Sequence, residues 1–345
     1  MKQSLSKRST MAEIAAKAGV SIPTVSRVLH HRPDVAPETR KRVEQLLEEH
    51  GLIQGRAKKL LRKEHSGIVD MLFPGFDSMY SFEIARGVEE VIARTDLRLA
   101  ISSTHHSTEL EQRWMSKIQK SPSDGAILVL AHGEPRHFDP LHRHNIPFVV
   151  VDHGGELGPD TPSVGATNWL GGRTATEYLI SLGHRRVAVI TGPTTLPCSQ
   201  DRVAGYRSAL ETAGLQINPA FICLGDFSPD SGYEQTNALL DLPEPPTAIF
   251  AGCDEQATGV YSALRARGLN IPDDMSVIGF DDVPTASIIT PNLTTIRQPL
   301  REMGRVATTM LLHLINGEPL DSMRVELTTH LVVRDSCRPL DDAKR

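Results

Sequence analysis

The stretch TMAEIAAKAGVSIPTVSRVL, residues 10–29, decides how the rest of the chain is interpreted. Apolar residues at helical spacing predict a first helix over residues 11–18: Met11, Ile14, Ala15 and Ala18. Thr10, with Glu13 three residues later, has the form of a capping box, which favours a helix start at this point. Gly19 then supplies a tight turn, because glycine adopts positive φ angles at little cost.

A second helix is predicted directly after this turn. Ser21 is a suitable N-cap, and Pro23 stands in the first helical turn, where its missing N–H matters least. Three apolar residues face inward: Val25, Val28 and Leu29. Thr24, Ser26 and Arg27 are left pointing outward, which suits a helix laid into the major groove of DNA. The pattern predicts a helix-turn-helix, with an ordinary helical hairpin as the alternative.

Residues 37–50 complete a module of three helices, which ends at Gly51. Seven apolar residues form its predicted core: Ile14, Ala15, Val20, Val25, Val28, Val43 and Leu47. Residues 54–65, QGRAKKLLRKEH, are basic, which is typical either of a solvated linker or of a segment that folds only when DNA supplies the counter-charge. We therefore predict a DNA-binding domain over residues 1–52 and a hinge segment over residues 53–66.

Charge is distributed unevenly along the 345 residues. The net charge is −5, yet residues 1–65 hold 14 Lys and Arg against 7 Asp and Glu, so the acidic excess lies entirely in the remainder. A basic head on an acidic body is typical of a DNA-binding module joined to a regulatory or catalytic one. The four cysteines form no C-x-x-C pair, and we find neither an apolar signal segment nor a run of 18 apolar residues. These features lead us to expect a cytoplasmic protein without a membrane span.

From Gly67 onward, apolar runs of strand length alternate with helical patterns. Two such series, over about residues 68–151 and 170–280, predict two α/β lobes with parallel, doubly wound sheets. Ligands bind to such lobes at the carboxyl ends of the strands, in the cleft between them. A tail with a single predicted strand over residues 324–333 crosses back to complete both lobes.

The sequence lacks the motifs that mark common catalytic and cofactor sites. It has no G-x-x-x-x-G-K-[ST] loop, no G-x-G-x-x-G after the first strand, no G-x-S-x-G elbow and no H-E-x-x-H pair. We therefore expect no enzyme activity, no cofactor and no metal site.

Four stretches of the body, together with the head, resemble the lactose-repressor (LacI/GalR) family of transcription factors. They are SLGHRRVAVITGP at 181–193, DRVAGYRSALETAGL at 201–215, the segment 247–299, and MGRVATTMLLHLINGE at 303–318. The resemblance implies an all-α helix-turn-helix head and a hinge helix. The body it implies is a two-lobed effector-binding and dimerisation domain like that of periplasmic sugar-binding proteins, over residues 67–340.

The resemblance also implies how these parts work together. Such proteins are usually homodimers on a pseudo-palindromic operator, and effector and DNA affect each other's affinity reciprocally. We expect the dimer to form through the lobe-one surface around a predicted helix over residues 81–95. The expected lobe bounds are about 67–165 plus 297–325 for lobe one and about 166–294 plus 326–340 for lobe two.

Matching positions in the family imply the DNA-binding residues: Thr10, Ser21, Ile22, Pro23, Thr24, Ser26, Arg27 and Leu61. Arg27 can donate two hydrogen bonds to guanine, whereas Ile22 and Pro23 can make only apolar contacts to bases. The hydroxyl residues match positions that contact phosphate, which sets the register of the protein on DNA. Leu61 matches a leucine wedged into the minor groove, or else packs as an ordinary leucine. Gln54, Gly55 and Lys58 depart from the family's hinge pattern, which commonly has a Pro-Asn pair at the helix start and an Ala before the basic residue. An interior glycine at position 55 would disfavour the hinge helix by about 1 kcal/mol.

Matching positions likewise imply the effector-binding residues: Tyr80, Asp152, Trp169, Arg202, Phe227, Asp254, Asp281 and Gln298. A guanidinium and a carboxylate supply the donors and acceptors that a polyhydroxylated ligand needs, and an aromatic ring can stack on the apolar face of a sugar. An ordinary core aromatic is the alternative for Tyr80 and Trp169. An ion pair between the lobes or a strand-end cap is the alternative for Arg202 and Asp281. Thr167-Asn168 replaces the Asp-Asn pair common in the family, which leaves the identity of the ligand open.

Three functions compete at this point. The first is an effector-gated repressor of carbohydrate-utilisation genes, with double-stranded operator DNA and a sugar as partners. The second is a cytoplasmic sugar receptor or transport-associated binding protein without an operator. The third is a sugar-converting enzyme on two α/β lobes, which the absence of catalytic motifs from the sequence disfavours.

Overall fold

The computed structural model describes residues 11–29, 35–49, 66–76, 78–118, 123–129, 138–153 and 157–340. The chain divides into two compact units, residues 1–67 and residues 68–345. Predictions for Thr10, for Leu61 and for hinge residues 53–65 lie outside the described residues.

The first unit contains three helices: α1 (Met11–Ala18), α2 (Ile22–Leu29) and α3 (Pro37–Glu49). Gly19 adopts a φ of 65° between α1 and α2, and the Ser21 side chain accepts a hydrogen bond from the Thr24 N–H at 3.3 Å. The turn glycine and the N-cap are therefore confirmed. Eight buried apolar residues form the core: Ile14, Ala15, Ala18, Val25, Val28, Val35, Val43 and Leu47.

The second unit contains two six-stranded sheets. The first sheet has the order β11-β5-β4-β3-β1-β2, and all its pairings are parallel. Its strands are β1 (Ile68–Phe73), β2 (Arg98–Ser103), β3 (Gly125–Val129), β4 (Phe148–Val151), β5 (Ser163–Ala166) and β11 (Arg324–Leu327). With its helices this sheet forms lobe one: α4 (Met79–Ile92), α5 (Thr108–Ile118), α6 (Asp139–Arg143) and α11 (Leu300–Ile315).

The second sheet has the order β12-β10-β9-β8-β6-β7 and is parallel except for β12. Its strands are β6 (Val187–Thr191), β7 (Ile222–Leu224), β8 (Ala248–Ala251), β9 (Ser276–Asp281), β10 (Thr294–Arg297) and β12 (His330–Val332). With its helices it forms lobe two: α7 (Asn168–Ser181), α8 (Pro197–Thr212), α9 (Pro229–Leu240) and α10 (Asp254–Ala266). Two 3₁₀ turns cover Pro219–Phe221 and Pro284–Ser287. Two lobes with mostly parallel sheets confirm the predicted fold class.

The single strand predicted over residues 324–333 is wrong. β11 adds to β5 of lobe one, whereas β12 adds antiparallel to β10 of lobe two, so the chain changes lobes between them. Thr329 fixes this crossing: its N–H donates to the Thr167 hydroxyl at 2.9 Å, on the neighbouring crossing segment. Neither β5 nor α6 was predicted from the sequence, because β5 reads SVGA, with a serine and a glycine among its four residues, and α6 is only five residues long.

One close contact between two helices of lobe two fixes the position of Arg202. At Gly172 on α7, an added Cβ would lie 2.3 Å from the backbone oxygen of Arg202 on α8. Only glycine therefore fits, and the start of α7 lies directly beside the first turns of α8. Among the described residues, no helix combines the length and apolar character that crossing a bilayer requires.

Candidate functional site

The exposed face of α2 is the first candidate surface. Ile22 is 49% exposed, and Pro23 and Arg27 are exposed beside it. The hydroxyls of Ser21 and Thr24 are hydrogen-bonded to each other at 2.8 Å, so they lie side by side on this face. The face therefore presents apolar, hydroxyl and guanidinium groups of the kinds that contact bases and phosphates.

Arg202, on α8 in lobe two, lies at the centre of the second candidate site and is only 4% exposed. Its Nε donates to Asn168 Oδ1 at 2.9 Å, and one terminal nitrogen donates to the Gly252 carbonyl at 2.6 Å. The guanidinium carbon lies 3.7 Å from the centre of the Phe280 ring, a cation–π arrangement. These three contacts hold the guanidinium in one orientation.

Asp281 is the counter-charge of Arg202, with 3.8 Å between the guanidinium and Oδ1. The same oxygen accepts a hydrogen bond from Gln298 Nε2 at 2.6 Å. Burial raises the pKa of Asp281 to about 7, although Arg202 and Gln298 act in the opposite direction. Because both charged residues belong to lobe two, an ion pair between the lobes, one alternative from the sequence, is wrong. Asp281 does end β9, in accord with the strand-end alternative.

Lobe one faces this cluster with Tyr80 and Asp152, whose hydroxyl and carboxylate are joined by a 2.7 Å hydrogen bond. Burial is the largest cause that raises the pKa of Tyr80 well above its usual value, and the Asp152 carboxylate is the next. Cys198 and Asp281 raise this pKa further. Groups of lobe two therefore act electrostatically on a side chain of lobe one. Burial also raises the pKa of Cys198 to about 12, which keeps it a neutral thiol.

Among the residues that the structure describes, two buried side-chain oxygens in this region have no hydrogen-bond partner: Ser199 Oγ and Gln298 Oε1. Ser199 is 1% exposed in the first turn of α8, and Gln298 is 3% exposed. Leaving a buried polar group unpaired costs about 1–3 kcal/mol, so such groups in a folded protein call for an explanation. A ligand whose hydroxyls reach these two oxygens would supply the missing hydrogen bonds.

The backbone at this cleft is strained as well. Asp152, Phe227, Asp281 and Asp282 all have positive φ angles, between 52° and 110°. Such conformations are uncommon outside glycine and collect at ligand sites, where surrounding contacts enforce them. Phe227 brings its ring to 5.6 Å from the Arg202 guanidinium, so this aromatic side chain does belong to the cluster.

Two predicted residues are placed differently from the rest. Asp254 is fully buried, and its two oxygens accept from the Thr295 hydroxyl at 2.5 Å and the Val283 N–H at 2.9 Å, so it supports the loop after Asp281. Trp169 is 41% exposed, with Arg173 5.6 Å from its ring, and the structure does not bring it into the cluster.

Three residues of the cluster were missed from the sequence: Asn168, Cys198 and Ser199. Asn168 was noticed only as a departure from the family pattern. Ser199 stands three residues before Arg202 on the same helix, and this spacing could have marked it as a neighbour on one face.

Two family models match the chain. The model for bacterial regulatory proteins of the lacI family covers residues 10–53, and the model for the periplasmic binding protein-like domain covers residues 176–337. Catabolite control protein A of Priestia megaterium is 32% identical over 330 residues, which span 95% of this chain and 99% of the relative.

Solved structures agree with these matches. A complex of the transcriptional regulator CelR with cellobiose is 31% identical, with a TM-score of 0.74 over 95% of this chain and 100% of that one. A lac repressor dimer bound to operator and the anti-inducer ONPF is 26% identical, with a TM-score of 0.70 over 96% and 100%. The chain belongs to the lacI family of bacterial regulatory proteins.

Proposed function

We propose that this chain represses carbohydrate-utilisation genes in the cytoplasm, and that an uncharged sugar bound between the lobes switches its affinity for operator DNA. The sugar effector is supported by one observation: the side-chain oxygens of Ser199 and Gln298 are buried beside Arg202 and Asp281 without a hydrogen-bond partner among the described residues. The relatives bound to cellobiose and to an operator support the proposal.

The charges around the cleft favour a neutral ligand. Asp152 and Asp281 are buried with the guanidinium of Arg202, whose hydrogen bonds to Asn168 and Gly252 already occupy part of its donor set. A sugar hydroxyl can donate to a carboxylate and accept from a serine at once. A phosphate would instead set its own charge against the carboxylate of Asp152 and, above about pH 7, against that of Asp281 as well.

The DNA-binding residues keep their proposed roles. Arg27 reads a guanine, Ile22 and Pro23 make apolar contacts to bases, and Ser21, Thr24 and Ser26 contact phosphates. Thr10 and Leu61 share in this interface by analogy with the family. The same analogy supports a homodimer on a pseudo-palindrome, as in the lac repressor complex.

The dimer surface that we propose lies on lobe one. Phe76 and Phe82 are 53% and 40% exposed next to each other at α4, and Ile101 is 42% exposed on the edge strand β2. An apolar group on an edge strand beside exposed aromatic rings is a typical association surface. A sugar receptor without an operator finds no support among the relatives named above.

The first experiment measures thermal stabilisation by ribose, xylose, glucose, cellobiose, sugar phosphates and purines. A ligand at 100 times its Kd adds about 2.7 kcal/mol to the free energy of unfolding, which is readily detected. Arg202→Lys keeps the charge but loses the planar donor set, so we expect its affinity for that ligand to fall about 100-fold. The bound sugar should also release a pseudo-palindromic duplex selected by the chain from a random library.

Arg207→Lys is the matched control, because it makes the same substitution at an exposed position of the same helix, α8. Equal sugar affinity in wild type and Arg202→Lys would contradict the role of Arg202. A panel in which only phosphates or purines bind would contradict the uncharged sugar. Failure to select any duplex, or binding without steep loss at higher salt, would contradict the repressor itself.

A further inference from the structure

One carboxylate joins the two lobes in a way that no role assigned above explains. Glu255 is the second residue of α10 in lobe two. Its Oε1 accepts a hydrogen bond from the Met79 N–H at 2.6 Å, and its Oε2 accepts one from the Ser78 hydroxyl at 3.0 Å. Both donors belong to the start of α4 in lobe one.

The partners of Glu255 are the groups that a helix start must satisfy. The first N–H groups of a helix have no partner within it, and the side chain of the N-cap residue usually accepts from one of them. Ser78 holds the N-cap position of α4 with extended backbone angles, but its side chain makes no capping hydrogen bond to its own helix. It donates to Glu255 instead, and Glu255 accepts from the first N–H of the helix.

The electrostatics favour this arrangement from both sides. The positive ends of the dipoles of α4 and α10 both meet the Glu255 carboxylate, and an anion at a helix N-terminus is stabilised. Hydrogen bonds to an ionised acceptor are also stronger than those between neutral groups. The contact joins residues 176 and 177 positions apart in the chain, so it exists only while the two lobes are together.

We propose that Glu255 is a helix cap supplied by the opposite lobe, which holds lobe one and lobe two together at the mouth of the cleft. When the lobes separate, the Ser78 hydroxyl becomes free to cap its own helix, so α4 has a satisfied start in both states. Glu255 is thus a positioning residue that biases the closed state whether or not a ligand is bound. Its effect on effector affinity rests on the function proposed above, whereas the contact itself does not.

The amide of Met79 reports this contact directly. Selective ¹⁵N labelling of methionine gives a spectrum with few signals, since the chain has nine methionines. Hydrogen exchange at the Met79 amide should accelerate about 5- to 30-fold in Glu255→Ala without any ligand present, as expected for the loss of a capping interaction. Exchange at Met71, inside β1 and paired on both sides, should not change.

Two further variants separate the contact from general destabilisation. Asp230→Asn is the matched control, because Asp230 is likewise the second residue of a lobe-two helix, α9, and it should leave exchange at Met79 unchanged. Ser78→Asp keeps a good N-cap for α4 but sets a second carboxylate against Glu255. It should therefore accelerate exchange at Met79 while α4 remains folded.

The outcomes divide cleanly. Exchange at Met79 that is unchanged in both Glu255→Ala and Ser78→Asp would overturn the proposal, and so would equal acceleration in Asp230→Asn. If a sugar from the panel above binds, Glu255→Ala should weaken its affinity by the same 5- to 30-fold, and unaltered affinity would overturn the link to closure. If none binds, the proposed effector fails while the result at Met79 still decides the contact.

Discussion

The two ends of the lobe-two sheet differ in how their buried polar groups are satisfied. At the amino end, both ring nitrogens of His184 have hydrogen-bond partners. Nδ1 lies 2.9 Å from the Thr247 hydroxyl, and Nε2 lies 3.0 Å from the Ser276 hydroxyl and 3.3 Å from the Arg338 carbonyl. One side chain there joins the starts of three strands to the C-terminal segment.

The carboxyl end of the same sheet leaves two buried oxygens unsatisfied and has a strained backbone. Ser199 Oγ and Gln298 Oε1 lack partners among the described residues, and Phe227, Asp281 and Asp282 have positive φ angles. Burial raises the pKa of Asp281 at this end to about 7, whereas it lowers that of His184 at the other end to about 4. The comparison indicates that the amino end stabilises the lobe, while the carboxyl end gives up stability to keep groups ready for a ligand.

The largest expected effect comes from removing His184. His184→Ala removes one hydrogen-bond partner each from the Thr247 hydroxyl, the Ser276 hydroxyl and the Arg338 carbonyl, leaves them only longer bonds of 3.2–3.5 Å, and opens a cavity. It should therefore cost about 2–4 kcal/mol of unfolding free energy. Urea unfolding followed by tryptophan fluorescence measures this, because Trp114 and Trp169 are the two tryptophans and both lie in the second unit. His313→Ala, at a partly exposed position of α11, should change stability by no more than about 0.5 kcal/mol. A loss below 1 kcal/mol for His184→Ala would contradict the stabilising role of this end.

The next effect concerns pH and tests the carboxyl end. Asp281 binds a proton more tightly in the folded than in the unfolded chain, so its contribution to stability is complete below about pH 3.8 and is lost as the pH rises through 7. The asparagine in Asp281→Asn does not titrate. The free energy of unfolding of this variant minus that of wild type should therefore be more positive at pH 8 than at pH 5. Urea unfolding at the two pH values measures the difference.

His184→Gln is the control, because its effect on the pH dependence of stability should have the opposite sign. Burial lowers the pKa of His184, so its contribution is present above about pH 6.5 and is lost as the pH falls toward 4. The variant should therefore lose less stability than wild type on acidification. If both variants follow the wild-type pH profile, the two ends do not differ in the way proposed.

Much of this architecture followed from the sequence. The helical spacing around Gly19 located the first unit, and alternation of strand and helix patterns predicted two parallel sheets. Family resemblance brought Arg202 and Asp281 to the cleft, but it also included Trp169, which is 41% exposed with Arg173 5.6 Å from its ring. A matching position in the sequence does not fix the direction in which the side chain of a first helical turn points.

The remaining features depend on tertiary contacts that no local pattern encodes. Ser199 is notable only because its hydroxyl is buried without a partner, which depends on everything packed around it. Glu255 is an ordinary acidic residue of a first helical turn, and its partners at Ser78 and Met79 are more than 170 positions away. Apolar residues that repeat every 3.6 or every 2 positions predict helices and strands, whereas these contacts arise only when the two lobes meet.

The smallest effect on stability, and the sharpest test of the comparison, is expected from Ser199→Ala. Because the hydroxyl is buried without a partner among the described residues, its removal breaks no hydrogen bond and relieves a desolvation cost, so the free energy of unfolding should stay the same or rise by up to about 1 kcal/mol. Affinity for a cleft-bound sugar should nevertheless fall about 5- to 10-fold, as one hydrogen bond to the ligand is lost. Ser262→Ala is the control, since the Ser262 hydroxyl on α10 donates to the Thr258 carbonyl at 2.9 Å within its own helix. A Ser199→Ala protein that loses stability but keeps its affinity would show that the carboxyl end serves the fold in the same way as His184 does.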